Sequence, residues 1–194
     1  MKIFRVLISL AFILPIVNAC GSEEEGNNGL VVSAESGGNE LLGIWTDGKC
    51  LASDTVFVSN NLMFDQDGTI ENFILVHADN QCTQTLARFS RNGTYQALMG
   101  DIDVNLTDDT AIALTMAEAN FYNENNFCAR DNWQVDVSFD ITACDTVPQN
   151  VVLPATGYTR YRVDGDNLHF DLNFVGGSTQ SRTDAPSIAN YFRR

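Results

Sequence analysis

Cations are scarce in this 194-residue chain: 11 Lys and Arg stand against 25 Asp and Glu, for a net charge of −14. Such a balance argues against nucleic acid and anionic lipid heads as partners, because few positive groups are available to release counterions from phosphates. Histidine is scarcer still, limited to His77 and His169. No Cys-x-x-Cys pair occurs, so a soft-metal site would have to be assembled from scattered cysteines and these two rings. Gly-x-Ser-x-Gly, His-Glu-x-x-His and a phosphate loop are all missing, which removes the common hydrolase and nucleotide signatures. Carboxylate pairs are plentiful enough that some pair always suggests glycosidase chemistry. The expectation is therefore a protein without metal, cofactor or catalytic residues. Nor does any apolar run reach the roughly 20 residues of a comfortable bilayer crossing.

One shorter apolar run is present. Lys2 and Arg5 precede it, it extends from Val6 to Val17, and small or polar residues follow. Together these read as a secretory signal over residues 1–19. Val17-Asn18-Ala19-Cys20 resembles a bacterial lipobox, with Asn18 in place of the usual small residue. The resemblance implies cleavage before Cys20, acylation of its thiol and amine, and membrane attachment through the acyl chains. Several chains anchor stably, at ~0.8 kcal/mol per buried methylene. Gly21, rather than aspartate, follows the cysteine; by the sorting rule of enteric bacteria this implies the outer membrane. The alternative is an ordinary signal peptide whose Cys20 enters a disulfide. Cleavage removes two cations and no acid, leaving nine against 25 and a net charge of −16. Residues 20–40 are rich in Gly, Ser, Glu and Asn, and read as a lipidated flexible tether.

Beyond Cys20 there are four cysteines, an even number suited to disulfides outside the cytosol. Three connectivities are possible. Cys50–Cys82 with Cys128–Cys144 is favoured because each bond closes a short loop within one run of strands.

From Leu41 to Arg194 the pattern is β, which predicts an all-β domain. Trp133 to Ile141 alternates apolar and polar residues, as does Leu168 to Phe174. Turn signals fall at Asp65-Gln66-Asp67-Gly68, Arg91-Asn92-Gly93, Thr107-Asp108-Asp109 and Asp164-Gly165-Asp166-Asn167. The apolar parity changes between Tyr95-Ala97-Met99 and Ile102-Val104-Leu106, which predicts a bulge near Met99-Gly100. Ala117 to Phe127 is the best helical stretch, but its asparagines predict a loop. Asp65-Gln66-Asp67-Gly68-Thr69 is a turn rather than a calcium loop, since aligning Gly68 puts Met63 at the first ligand position. The whole reads as an antiparallel up-and-down meander of eight to ten strands closed into a barrel, with a two-sheet sandwich as the alternative.

Leu41-Leu42-Gly43-Ile44-Trp45-Thr46 resembles the opening Gly-x-Trp strand of lipocalin-like barrels. With Cys50, Phe64, Asp79-x-x-Cys82 and Gly93-x-Tyr95, the first third of the domain resembles the extracellular domain of the Wnt-inhibitor family named for down-regulation by the APC tumour suppressor. The chain has one such domain and no transmembrane helix, so Wnt inhibition does not carry over. The closing Arg182 to Ser187, with Tyr191-Phe192-Arg193, resembles the tail of bacterial lipocalin-like lipoproteins. The resemblance implies a lipocalin-like barrel with Trp45 at its closed end, stacked on a late basic residue; Arg160, Arg162 and Arg182 are the candidates. It also implies a small apolar ligand or lipid, with Trp45, Phe57, Phe64 and Tyr95 as candidate contacts. Phe73, Phe89, Phe139 and Phe170 either line such a cavity or fill the barrel. The competing expectation is an envelope interaction module with no cavity; a hydrolase comes third. His169 and Asp171 share one side of a strand, an arrangement more typical of a polar outer face than of catalysis.

Overall fold

Tight turns set the course of the chain. The computed structural model describes residues 38–144, 155–170, 182 and 184–194. The signal segment, Cys20, most of the tether and Asp171 to Phe174 lie outside the described residues. Among the described residues there are ten strands: β1 Gly43–Thr46, β2 Leu51–Ser53, β3 Val56–Phe64, β4 Thr69–His77, β5 Thr85–Leu98, β6 Asp101–Ala113, β7 Ser138–Asp140, β8 Ala155–Asp164, β9 Asn167–Phe170 and β10 Tyr191–Arg193. A helix, α1 (Met116–Glu124), stands between β6 and β7.

Eight strands pair in the circular order β3-β4-β5-β6-β8-β9-β10-β1, and β1 returns to β3 through Gly43↔Phe64 to Thr46↔Asn61. The barrel is thus closed, and the sandwich alternative is set aside. β2 and β7 are outer strands, on the first half of β3 and the second half of β6 respectively. Two of the turn readings hold: Asp65 to Gly68 joins β3 to β4, and Gly165-Asp166 joins β8 to β9.

The other two turn readings are corrected. β5 runs unbroken through Arg91-Asn92-Gly93, and β6 through Thr107-Asp108-Asp109. The two triplets face one another at a bulge, where the register steps from Asn92↔Asp108 to Gly93↔Leu106 and leaves Thr107 as the extra residue. A Cβ on Gly93 would lie 2.0 Å from the Asn105 carbonyl oxygen and 2.7 Å from the Leu106 Cα. Glycine is needed for this close approach of two strands, not for a turn. Conversely, Met99-Gly100 is no bulge but the two-residue turn between β5 and β6, with both φ positive (53° and 88°). Residues paired across a hairpin share a face, so Tyr95 opposite Val104 and Ala97 opposite Ile102 account for the parity change.

Two further expectations fail around α1. Thr115 caps the helix, its hydroxyl accepting from the Glu118 amide at 3.2 Å, and a glutamate three residues after threonine is a capping-box pattern. The asparagines that suggested a loop make specific bonds. Asn123 accepts from the Trp133 amide at 2.6 Å and donates to its carbonyl at 3.0 Å. Asn126 ends the element in the left-handed region. Within Trp133 to Ile141 only Ser138–Asp140 is strand. Asp136, at φ 60°, interrupts the extended run, and Val135 makes one isolated parallel bridge to Ala113.

Two apolar cores result. Trp45, Leu62, Phe64, Ile102, Leu168 and Phe170 belong to the first, inside the closed ring. The second lies at the level of the outer strands. There Val76, Ala87, Ala111 and Ala113 are covered by Tyr122 of α1 and by Trp133.

Candidate functional site

The first core is sealed around Trp45, which has no solvent exposure. Its indole Nε1 donates to the Leu41 carbonyl at 2.6 Å. The guanidinium carbon of Arg193 lies 4.3 Å from the centre of the Trp45 ring, while Nη1 and Nη2 donate to the Leu42 and Glu40 carbonyls at 2.8 Å each. This places a late basic residue on the tryptophan, but it is Arg193 rather than Arg160, Arg162 or Arg182. The register requires it, since Trp45 faces Arg193 directly across β1 and β10. Arg160 and Arg182 instead bind Asp101, Arg182 also holds Asp103, and Arg162 lies against His169.

Of the candidate ligand contacts, Trp45 and Phe64 are buried in this core, and Tyr95 packs against it with its ring edge-on to Phe64 at 5.1 Å. Phe57 is elsewhere. It has the opposite strand parity to Val56 and Val58, which pack into the second core, so it lies on the outer face of β3. Phe73 is likewise on the outer face, under the Arg88 guanidinium at 4.0 Å. Phe170 fills the first core, and Phe89 and Phe139 pack against the second.

Between the two cores the inward row turns polar. Asn60 of β3, Asn72 of β4, Arg91 of β5 and Asp109 of β6 share the concave face with Leu62, Ile70, Phe89 and Ala111, as strand alternation and register require. Arg91 Nε donates to Asp109 Oδ1 at 3.2 Å, with side-chain exposures of 24% and 16%. Burial raises the Asp109 carboxyl above its ordinary value of 3.8, against the pull of Arg91. Asn60 donates from Nδ2 to Asp47 at 3.0 Å. Asn72 and Ile74 are likewise partly exposed, although both point inward. Sequence reading missed this belt because Arg91 and Asp109 sit inside turn-like triplets. The signal that finds them is the apolar alternation on either side: Ala87-Phe89 leads to Arg91, and Ala113-Ala111 leads to Asp109.

The four cysteines form Cys50–Cys82 and Cys128–Cys144, so none is left for zinc. His77 is buried, its Nε2 3.0 Å from the Ser59 hydroxyl and its Nδ1 3.3 Å from that of Thr85. A nucleophile–base pair needs a third group to orient the base; here a neutral hydroxyl occupies that position. His169 is buried on the outer face, Nδ1 donating to the Pro186 carbonyl at 2.8 Å, and its proposed neighbour Asp171 lies outside the described residues. The Asp65 to Thr69 turn closes on itself, Asp67 Oδ1 accepting from the Thr69 amide at 3.0 Å and hydroxyl at 2.7 Å. A shallow depression of about 410 Å³ lies against the outside of the wall at the bulge, between Met63, Glu71, Asn92 and Asp108. Its polar groups are largely engaged: Glu71 by Arg88, Asn92 by Thr110 and Asp108 by Thr107.

No family model matches the chain, and no curated protein is found to be similar to it.

Proposed function

We propose that this chain is an exported envelope lipoprotein, held on the outer membrane by acyl chains on Cys20, whose lipocalin-like barrel binds a small apolar ligand on its inner face. One observation carries the reading. Between two tightly filled cores, the concave face keeps partly exposed residues, Ile74 among them, where a solid barrel would have none. The same packing limits the ligand. Trp45, Phe64 and Phe170 occupy one end and Tyr122 and Trp133 the other, so a compact molecule fits the middle better than a long acyl chain does. Binding needs no catalysis, since apolar burial contributes roughly 25 cal/mol per Å².

A second reading, an envelope interaction module, is favoured by the filling of both ends together with the net charge of −14. Native mass spectrometry of the full-length lipoprotein, followed by organic extraction, separates the two. Co-purification of a stoichiometric small molecule is the expected result. Repeated recovery of empty protein from its own envelope, with no binding of added apolar probes, leaves the interaction module. Attachment is tested by Cys20→Ser, which should move the protein from the membrane pellet to the soluble fraction.

A further inference from the structure

The polar belt narrows the ligand class, and the argument rests on the ligand-binding reading above. Arg91 holds Asp109 through Nε alone. Among the described residues its Nη1 and Nη2 have no protein partner. No buried side-chain nitrogen or oxygen among the described residues lacks a partner, so these two groups, on a side chain 24% exposed, are open to solvent. Asn72, directly opposite Arg91 across β4 and β5, has a side-chain amide equally without a protein partner among the described residues. Leu62 and Ile70 lie on one side of this edge, and Ile74 and Phe89 on the other.

We infer that the inner face at Arg91 is a binding site for a small organic carboxylate, gripped by the paired Nη1 and Nη2 groups and the Asn72 amide, with its apolar body against Ile74 and Phe89. A guanidinium edge presents two parallel donors that match a carboxylate, and the match is worth most where water is scarce. Charge decides between anions. Among the described residues Arg91 is the one cation on the belt, while Asp109, with Asp108 and Asp140 acting on it, and Asp47 on Asn60 make the surroundings acidic, so a monoanion is the most that this cation can hold. A phosphate dianion would put two charges next to Asp109, with no second cation on the belt. A neutral alcohol would leave the guanidinium edge to water.

The test uses the full-length lipoprotein in nanodiscs, with empty nanodiscs as baseline, and hexanoate, 1-hexanol, hexylamine and hexyl phosphate as probes in calorimetric titration. Hexanoate should bind at least tenfold more tightly than 1-hexanol. Arg91→Met should abolish the preference for hexanoate over 1-hexanol, and Arg91→Lys should keep part of it. If Arg91→Met fails to fold because Asp109 is stranded, the double variant Arg91→Met/Asp109→Asn removes the pair together and should give the same loss. Equal binding of hexanoate and 1-hexanol overturns the carboxylate site but leaves the apolar-ligand reading intact. Preference for hexylamine or hexyl phosphate also overturns it. Binding of none of the four overturns both.

Discussion

Arg193 combines a stacking contact with two charge-assisted hydrogen bonds, so its loss should be felt well beyond its own side chain. The cation–π contact adds ~0.5–2 kcal/mol depending on desolvation, and hydrogen bonds from a charged group ~1.5–3 kcal/mol each before solvent competition. The side chain is 35% exposed, which discounts both. Arg193→Ala should lower unfolding free energy in urea by about 1–3 kcal/mol, and Arg193→Lys should recover only part, because an ammonium can neither stack flat nor reach two carbonyls. An unchanged midpoint would mean that the Trp45 end is held by the indole alone. His77 responds to pH instead. Burial chiefly holds its pKa below the ordinary 6.5, with Arg194 adding to the effect and Asp79 opposing it. The unfolded chain therefore takes up a proton near pH 6.5 while the folded chain does not. The stability that neutral His77 allows is complete above that pH, and falls as pH drops from 6.5 through the lower folded value. Urea midpoints at pH 7.5 and 5.5 should separate for the wild type and separate less for His77→Gln; equal separations would exonerate the histidine. Trp45 was legible in the sequence through its Gly-x-Trp setting, but Arg193 was not. Choosing among late arginines requires the β1–β10 register, and that register follows from barrel closure rather than from any local pattern.

The bulge shared by β5 and β6 shows why local patterns carried most, but not all, of the fold. Asn92-Gly93 has the composition of a hairpin turn, and Thr107-Asp108-Asp109 is polar enough for another. Long strands bent around a barrel use the same residues, because a bulge also needs a missing Cβ and solvated neighbours. Only the continuing alternation through Arg91 and Asp109 distinguishes the two, and those residues are also the candidate site. The strand meander was thus legible, whereas the inward polar pair was hidden by its own flanks. Likewise, Trp133, Val135, Phe139 and Ile141 pack into the second core while Val137 is exposed, and burial of alternate residues does not require sheet pairing. Substitution at the bulge separates a close approach from a turn. Gly93→Ala would drive a Cβ to 2.0 Å from a backbone oxygen, so one of two long strands has to shift. The expected outcome is insoluble protein or a loss above about 3 kcal/mol, in the range of severe overpacking. Gly165→Ala is the control. It has φ +60° but nothing within 4 Å of the new Cβ, and should cost about 1 kcal/mol. If the two variants unfold alike, strand approach is not what Gly93 serves.

Across the whole molecule, two apolar cores share four strands, β3 to β6, but are covalently secured in different ways. Cys50–Cys82 joins the loop before β2 to the loop between β4 and β5, over a separation of 32 residues; Cys128–Cys144 joins two points of the segment after α1, 16 apart. Chain-entropy reasoning assigns each about 3–4 kcal/mol, yet the consequences of losing them should differ. The first core is built from strands that close into a ring, whereas Cys128 and Cys144 pack against the second core. The second depends on α1 and Trp133 lying over Ala87, Ala111 and Ala113, whose small side chains offer little grip once that cover loosens. Each core contains one tryptophan, Trp45 in the first and Trp133 in the second, so the two can be read separately. In single-tryptophan variants (Trp133→Phe or Trp45→Phe), replacing Cys128 and Cys144 by alanine should red-shift Trp133 emission and move its urea transition to lower concentration. The Trp45 transition should shift far less, because β3 to β6 remain paired along the closed ring. Amide exchange should agree, with residues 116–144 losing protection while β8 and β9 keep theirs. Coincident transitions of the two tryptophans in the cysteine-free protein would instead mean that the belt at Arg91 and Asp109 couples the cores into one cooperative unit.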